Sequence, residues 1–138
     1  MTAPPALYLD TSALLRATLE AGVTPDLERR LAAASTLITS RLTLVETARA
    51  FLRLRQLGRV SVARLADAER EVAAVLQRCD LWELTRAVCD DASRVAPRLG
   101  LRTLDALHLA TFVLARRRLD GLELVTPDER LRTAAEVA

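Results

Sequence analysis

Four acidic side chains stand where apolar runs give way to, or border, a helix: Asp10, Glu46, Asp105 and Asp128. Asp10 follows an apolar run over 6–9 directly, and Asp128 comes shortly after a second such run over 122–125. If both runs are strands of a parallel sheet, both acids lie at its carboxyl edge, where open α/β sheets bind ligands. Asp105 falls in the first turn of a helix predicted over 104–118, and Glu46 near the start of one over 41–57, beside its apolar stripe. Each can reach the same edge. Four carboxylates gathered there repel one another, and burial raises their pKa values unless a cation replaces the lost solvent. Mg²⁺ or Mn²⁺ suits such a site, because hard divalent ions take carboxylate oxygens and keep several waters. A phosphodiester oxygen can displace one of those waters, and the metal then acidifies an attacking water and neutralises charge on the leaving oxygen.

Each acid also has a plainer explanation. Asp105 and Asp128 read as first-turn residues, where the helix dipole favours any acid by about 0.3 to 1 kcal/mol. Glu46 has Arg49 at the i,i+3 spacing of a solvated ion pair. Asp10 resists this treatment, because an ionised group closing a buried strand needs a capping or ligand role. Thr11, Ser12 and Thr126 are candidates to orient the carboxylates by hydrogen bonding, with helix capping as the alternative. His108, the sole histidine, stands one turn after Asp105 between Leu107 and Leu109; it reads as a packing residue and is assigned no catalytic role.

The elements that must position these residues alternate. Strands are predicted over 6–9, 36–39, 81–84 and 122–125, and helices over 13–20, 26–34, 41–57, 62–77, 86–99, 104–118 and from Thr126 onward. Asp10, Thr11 and Ser12 together, then Ser40, Ser61 and Thr103, read as caps, and Gly58 as a stop. In the last helix, Thr126, Pro127 and Glu129 resemble a capping box with proline at the first helical position. Apolar stripes run through Leu44, Val45, Ala48, Phe51 and Leu52, through Leu65, Ala68, Val72 and Leu76, and through Leu104, Leu107, Ala110 and Leu114. Such alternation calls for a parallel sheet covered on both faces.

With 138 residues, 51% hydrophobic and 28% charged, the chain has the composition of one globular domain over 1–138 rather than of a disordered one. Aromatic residues make up only 3%, so a surface of stacked rings for single-stranded nucleic acid is not expected. The net charge of +2 does not by itself mark a nucleic-acid binder. Every basic residue other than the histidine is arginine, which reads as compositional bias, with a planar donor fork for phosphates as the functional alternative. Arg116, Arg117 and Arg118 fit the dipole of a helix end as well as they fit a phosphate patch. Cys79 and Cys89 match neither a redox pair nor a zinc cluster and are expected to be small core residues. Neither a secretory leader nor a span of membrane length is apparent, so the protein is expected to be cytoplasmic, without a membrane partner.

Taken jointly, Leu7–Leu14 (LYLDTSAL), Leu44-Val45-Glu46, Leu104–Ala110 (LDALHLA) and Leu124–Leu131 (LVTPDERL) resemble a PIN domain, and more narrowly a VapC-type toxin of a toxin–antitoxin pair. The resemblance spans nearly the whole chain with the motifs in the family's order. It implies a three-layer α/β/α fold on a short central parallel sheet of four to five strands. It also implies an Mg²⁺- or Mn²⁺-dependent endoribonuclease whose catalytic, metal-binding acids carry over to Asp10, Glu46, Asp105 and Asp128. RNA as substrate, a cognate antitoxin that occludes the site, and a homodimer follow from the same resemblance. Some members carry a further acid in the last motif; here Asp128 follows Pro127, and one metal or two remain alternatives.

Other readings fit less well. A phosphoacceptor receiver domain needs an acidic pair after the first strand and a lysine near the last, and the chain has no lysine. A haloacid-dehalogenase-like phosphatase needs a second Asp two residues after Asp10, where Ser12 stands. The remaining alternative is a catalytically weak or inactive RNA-binding or interaction module on the same fold.

Overall fold

The computed structural model describes residues 5–20, 22 and 24–138. The elements run β1 (Ala6–Leu9), α1 (Thr11–Leu19), α2 (Pro25–Ala33), β2 (Thr36–Ser40), α3 (Arg41–Leu57), α4 (Val62–Arg78), β3 (Cys79–Trp82), α5 (Arg86–Ala92), α6 (Thr103–Arg118), β4 (Glu123–Val125) and α7 (Glu129–Val137). The sheet has four parallel strands in the order β3-β2-β1-β4, with helices on both faces: a three-layer α/β/α fold.

β1 is central, and its side chains Leu7, Tyr8 and Leu9 are wholly buried. Alternation along the strand sends Tyr8 to one face and Leu7 and Leu9 to the other. Tyr8 packs with Ile38, Leu109, Phe112 and Leu131, under α6 and α7. Leu7 and Leu9 pack with Ala13, Ala17, Leu31 and Val125, under α1 and α2. A third cluster, Leu14, Phe51, Leu65, Ala68 and Val72, ties α1 to α3 and α4. No helix among the described residues is long and apolar enough to cross a membrane.

Several boundaries differ from the sequence reading, each for a local reason. The third strand is Cys79–Trp82 rather than 81–84, because it pairs in register with β2 from Leu37 to Ser40. The helix expected over 86–99 ends at Ala92. Beyond it Ala96 takes a positive φ of 44° just before Pro97, and a residue preceding proline is disfavoured in the α region. α1 starts at Thr11 rather than Ala13, because within the expected Asp10-Thr11-Ser12 cap it is Asp10 that accepts the Ala13 N–H. Asp128, not Thr126, caps α7, so the helix starts at Glu129 and Pro127 lies outside it. Thr103 is the first residue of α6, whose N-cap position is Arg102 without a side-chain bond.

Two stripes also shift. On α3 Val45 and Leu52 are exposed, and Leu42, Thr43, Thr47, Ala50 and Phe51 turn inward. The threonines tolerate burial because their hydroxyls are satisfied: Thr47 donates to the Thr43 carbonyl at 2.8 Å, and Thr43 shares a 2.8 Å bond with Thr39. On α6 Leu104 is exposed, while Leu109, Phe112 and Val113 form the packed face. Cys89 is exposed and stays out of the core, whereas Cys79 is half-buried and packs against the cluster of Leu7 and Leu9.

Candidate active site

Parallel pairing of β1 with β4 sets Leu9 opposite Val125, so the next residues of the two strands, Asp10 and Thr126, emerge side by side at the carboxyl edge. Thr126 Oγ1 donates to Asp10 Oδ2 at 2.5 Å, and Ser12 Oγ donates to the same oxygen at 2.8 Å. Asp10 Oδ1 accepts the Ala13 backbone N–H at 2.8 Å and thereby caps α1. Only 4% of Asp10 is exposed, and these three donors supply what solvent would otherwise give a buried carboxylate.

α3 starts immediately after β2, with Ser40 both ending the strand and accepting the Leu42 N–H at 3.0 Å. Its second turn carries Glu46 over the same edge. Glu46 Oε1 accepts from Thr11 Oγ1 at 2.6 Å and from His108 Nε2 at 2.7 Å. His108 Nδ1 lies 2.9 Å from the Tyr8 hydroxyl. Because the carboxylate can only accept, the network assigns the proton of His108 to Nε2, and Tyr8 then donates to Nδ1. Burial pushes the Glu46 carboxyl up, but the bonds from His108 and Thr11 outweigh it and hold the group below its ordinary value. Burial also drives the Tyr8 phenol far above its ordinary range, so it remains a neutral donor.

Asp105 stands in the first turn of α6, and His108 follows on the same face of the helix. It is half-buried and makes no hydrogen bond or ion pair with any described residue. Its carboxyl is pushed above the ordinary value first by burial and next by repulsion from Asp128; attraction to His108 opposes this, and Asp10 and Glu46 add further repulsion. Asp105 and Asp128 line one cavity of about 530 Å³ together with Arg102, Glu129 and Arg130. Asp128 is exposed; its Oδ1 accepts the Arg130 and Leu131 N–H groups at 2.9 and 3.3 Å. The Asp128 N–H in turn donates to Thr126 Oγ1 at 3.0 Å.

All four acids lie around one region of the sheet edge, close enough for Asp128, Asp10 and Glu46 each to repel Asp105. Asp10 and Glu46 are fixed by hydrogen bonds, Asp128 is held through one oxygen, and Asp105 is unheld. Glu46 does not pair with Arg49 but turns inward to His108. Among the described residues no three His, Cys, Asp or Glu side chains close into a ready cluster around a metal. The donor set still suits Mg²⁺ or Mn²⁺, since such ions are commonly held through one or two carboxylates and complete their shell with water and substrate phosphate. Asp105, raised first by burial and then by its acidic neighbours, and without a partner among the described residues, has the environment that a cation would relieve.

The sequence reading missed His108 and Tyr8 as parts of the site. Their signals were a histidine three residues after Asp105 and a tyrosine inside an otherwise aliphatic strand. A separate hollow of about 450 Å³ at the β3 edge, lined by Trp82, Arg117 and Arg118 among others, contains none of the four acids.

Comparison with known proteins gives a consistent picture. A profile for the PIN domain matches residues 7–137. Ribonuclease VapC46 of Mycobacterium tuberculosis is 33% identical over 135 residues, covering 95% of this chain and 91% of the relative. Ribonuclease VapC35 of the same species is 37% identical over 134 residues, covering 94% and 90%. PAE2754 from Pyrobaculum aerophilum has a crystal structure similar to this chain, with a TM-score of 0.68 and 26% identity, covering 98% of this chain and 83% of that one. A toxin–antitoxin complex from Klebsiella pneumoniae shares the fold at a TM-score of 0.60 and 21% identity, covering 89% and 86%.

Proposed function

The chain belongs to the PIN domain family, and from that premise we propose that it is an Mg²⁺- or Mn²⁺-dependent endoribonuclease hydrolysing RNA phosphodiester bonds, the toxin of a toxin–antitoxin pair. The observation that carries this reading is the place of Asp105: half-buried, without a hydrogen-bond or ion-pair partner among the described residues, lining one cavity with Asp128, and pushed above its ordinary value first by burial and then by repulsion from Asp128, Asp10 and Glu46. Such an arrangement is unfavourable for a purely structural cluster and becomes favourable when positive charge enters.

Asp10, Glu46, Asp105 and Asp128 would hold the metal. When bound, it would supply an acidified water and neutralise charge developing on the phosphate. The remaining work falls to the chain itself. Ser12, Thr126 and the Ala13 N–H lock Asp10, with Oδ2 doubly bonded, and replace the hydrogen bonds that burial takes from it. Thr11 and His108 engage Oε1 of Glu46, and Oε2 has no hydrogen bond among the described residues. His108 serves here as a positioning residue, itself held by Tyr8. We further propose that the protein acts in the cytoplasm, as a homodimer, and that a cognate antitoxin restrains it by occluding the acidic edge.

The test is cleavage of single-stranded RNA by purified protein with Mg²⁺, with Mn²⁺ and with chelator. Cutting is expected only with metal, and Asp10→Asn or Asp105→Asn should abolish it while circular dichroism stays unchanged. Activity that survives either substitution removes the carboxylate mechanism. Metal-induced stabilisation without any cleavage favours the non-catalytic module instead. Expression without a partner should arrest bacterial growth in the wild type and not in Asp10→Asn.

A further inference from the structure

The arginines fall into two groups. Many are engaged: Arg29 with Asp26, Arg30 with Glu123, Arg41 with Glu83, Arg55 with Glu69, Arg70 with Asp67 and Arg132 with Glu129. Others have guanidinium groups with no ion-pair, hydrogen-bond or ring partner among the described residues, and four of these gather at the acidic edge. Arg102 and Arg130 line the cavity of Asp105 and Asp128, yet form no salt bridge with either acid. Arg49 and Arg53 line a groove of about 400 Å³ that also contains Thr11, Ser12 and Glu46. Adjacent residues at the start of α6 line both hollows, Leu104 the groove and Asp105 the cavity.

An exposed arginine near carboxylates ordinarily pairs with them, and elsewhere on this surface arginines do. Here Asp10, Oε1 of Glu46 and Oδ1 of Asp128 are turned to Ser12, Thr11, Thr126, His108 and backbone N–H groups, Asp105 is unheld, and the four guanidiniums pair with none of these acids, so that their charge and directional donors stay unspent. The rings that could stack on bases are committed too. Tyr8, Phe51 and Phe112 are buried, and Trp82 lies under Arg118 at the β3 edge. What the edge offers a polynucleotide is therefore planar cationic forks flanking an anionic centre, a pattern that fits phosphates and not bases.

We propose that Arg49 and Arg53, and Arg102 and Arg130, grip RNA phosphates on the two flanks of the scissile one, so that a single strand runs from the α3 groove across the carboxylates into the α6–α7 cavity. This rests on the ribonuclease reading and adds to it how the substrate is held: through its backbone, with little preference for base. The guanidiniums also offset the repulsion that the four acids exert on an incoming polyanion.

The experiment measures binding of a labelled single-stranded RNA of mixed sequence by fluorescence anisotropy over a salt series, in chelator, so that cutting does not intervene. The proteins compared are the full-length wild type, Arg49→Ala/Arg53→Ala, Arg102→Ala/Arg130→Ala, and a control, Arg59→Ala/Arg86→Ala, at unpaired arginines away from these hollows. Each flank variant is expected to bind more weakly and to lower the slope of log affinity against log salt by about 1.4, the value for two single-strand phosphate contacts. The control should match the wild type. In cleavage assays with Mg²⁺ the flank variants should show raised KM at unchanged kcat.

Equal slopes in the flank variants and the wild type overturn the proposal and leave the nuclease reading standing. Equal losses in flank and control variants overturn it as well, because they indicate general charge attraction. Unchanged RNA binding with an altered oligomeric state by light scattering assigns the groove to a second copy of the chain, and the proposal fails. Should the wild type bind RNA with the expected slopes but never cut it, the nuclease reading fails while the backbone grip stands.

Discussion

His108 Nε2 lies 2.7 Å from Glu46 Oε1, although 62 residues separate them in sequence. Tyr8, 100 residues away from the histidine, orients the other ring nitrogen at 2.9 Å. Three elements, β1, α3 and α6, thus meet in one polar chain within an otherwise aliphatic interior, and the chain ends on a candidate metal-binding carboxylate.

Removing His108 should expose both of its roles. His108→Ala leaves Glu46 with Thr11 as its remaining donor and opens space beside Tyr8, at an expected cost of about 2 kcal/mol or more in urea unfolding. The Glu46 carboxyl should rise toward its ordinary value by NMR titration, because the bond from His108 is the largest influence holding it down. An unchanged Glu46 titration would show that the contact does not operate in solution.

Asp105 gives a pH-dependent prediction of opposite sign to Glu46. Its folded pKa is raised, so the folded state binds the proton more tightly than the unfolded one. Below the unfolded value, about 3.9, Asp105 is protonated in both states and costs nothing. As pH climbs through the folded value that advantage is lost, because only the folded state resists ionisation. Without metal, Asp105→Asn should therefore melt higher than wild type at neutral pH, with the gap closing in acid. Added Mg²⁺ should raise the wild-type Tm more than the variant's. A wild type more stable than Asp105→Asn in neutral chelator would refute this account.

Much of the fold could be read in the sequence because burial follows period. The apolar run of β1 and the Leu65, Ala68 and Val72 stripe of α4 are single-element patterns, and both pack where that pattern puts them. The inward face of α3 was not readable, since Thr43 and Thr47 become suitable for burial only through bonds to Thr39 and to the helix backbone. Asp10 and Asp128 announce themselves by following strands; Asp10 caps α1 from within the expected Asp10-Thr11-Ser12 group, while Asp128 takes the cap of α7 expected of Thr126. Glu46 looked like a surface acid beside Arg49, because its true partners, His108 and Thr11, lie on distant elements. Pairing across long sequence separation is set by tertiary packing, and no local spacing encodes it.

Gly58 tests the end of α3. It adopts φ 64° as the C-cap, and its N–H donates to the Leu54 carbonyl at 3.2 Å. A Cβ there would meet nothing within 4 Å, so the cost of Gly58→Ala is purely conformational, about 1 kcal/mol for an L residue held in the left-handed region. Thermal or urea denaturation should register that loss with cleavage unaffected. No change in stability would mean that α3 ends differently in solution.

The two hydroxyls on Asp10 Oδ2 separate support of the carboxylate from support of the fold. Ser12→Ala and Thr126→Val each remove one donor to that oxygen, and the second keeps the shape of the buried threonine. With both gone, Asp10 retains only the Ala13 N–H while still 4% exposed, so its ionised form loses the bonds that offset burial. Each single variant should lose about 1 kcal/mol of stability. The double variant should bind Mg²⁺ more weakly, read as a smaller metal-induced rise in Tm, and should cut RNA more slowly at a given metal concentration, with partial recovery at higher metal. Recovery at higher metal is the informative result, because added ion compensates a weakened site without restoring either hydroxyl. A double variant that binds Mg²⁺ as tightly as the wild type would show that the two hydroxyls do not hold Asp10 for metal.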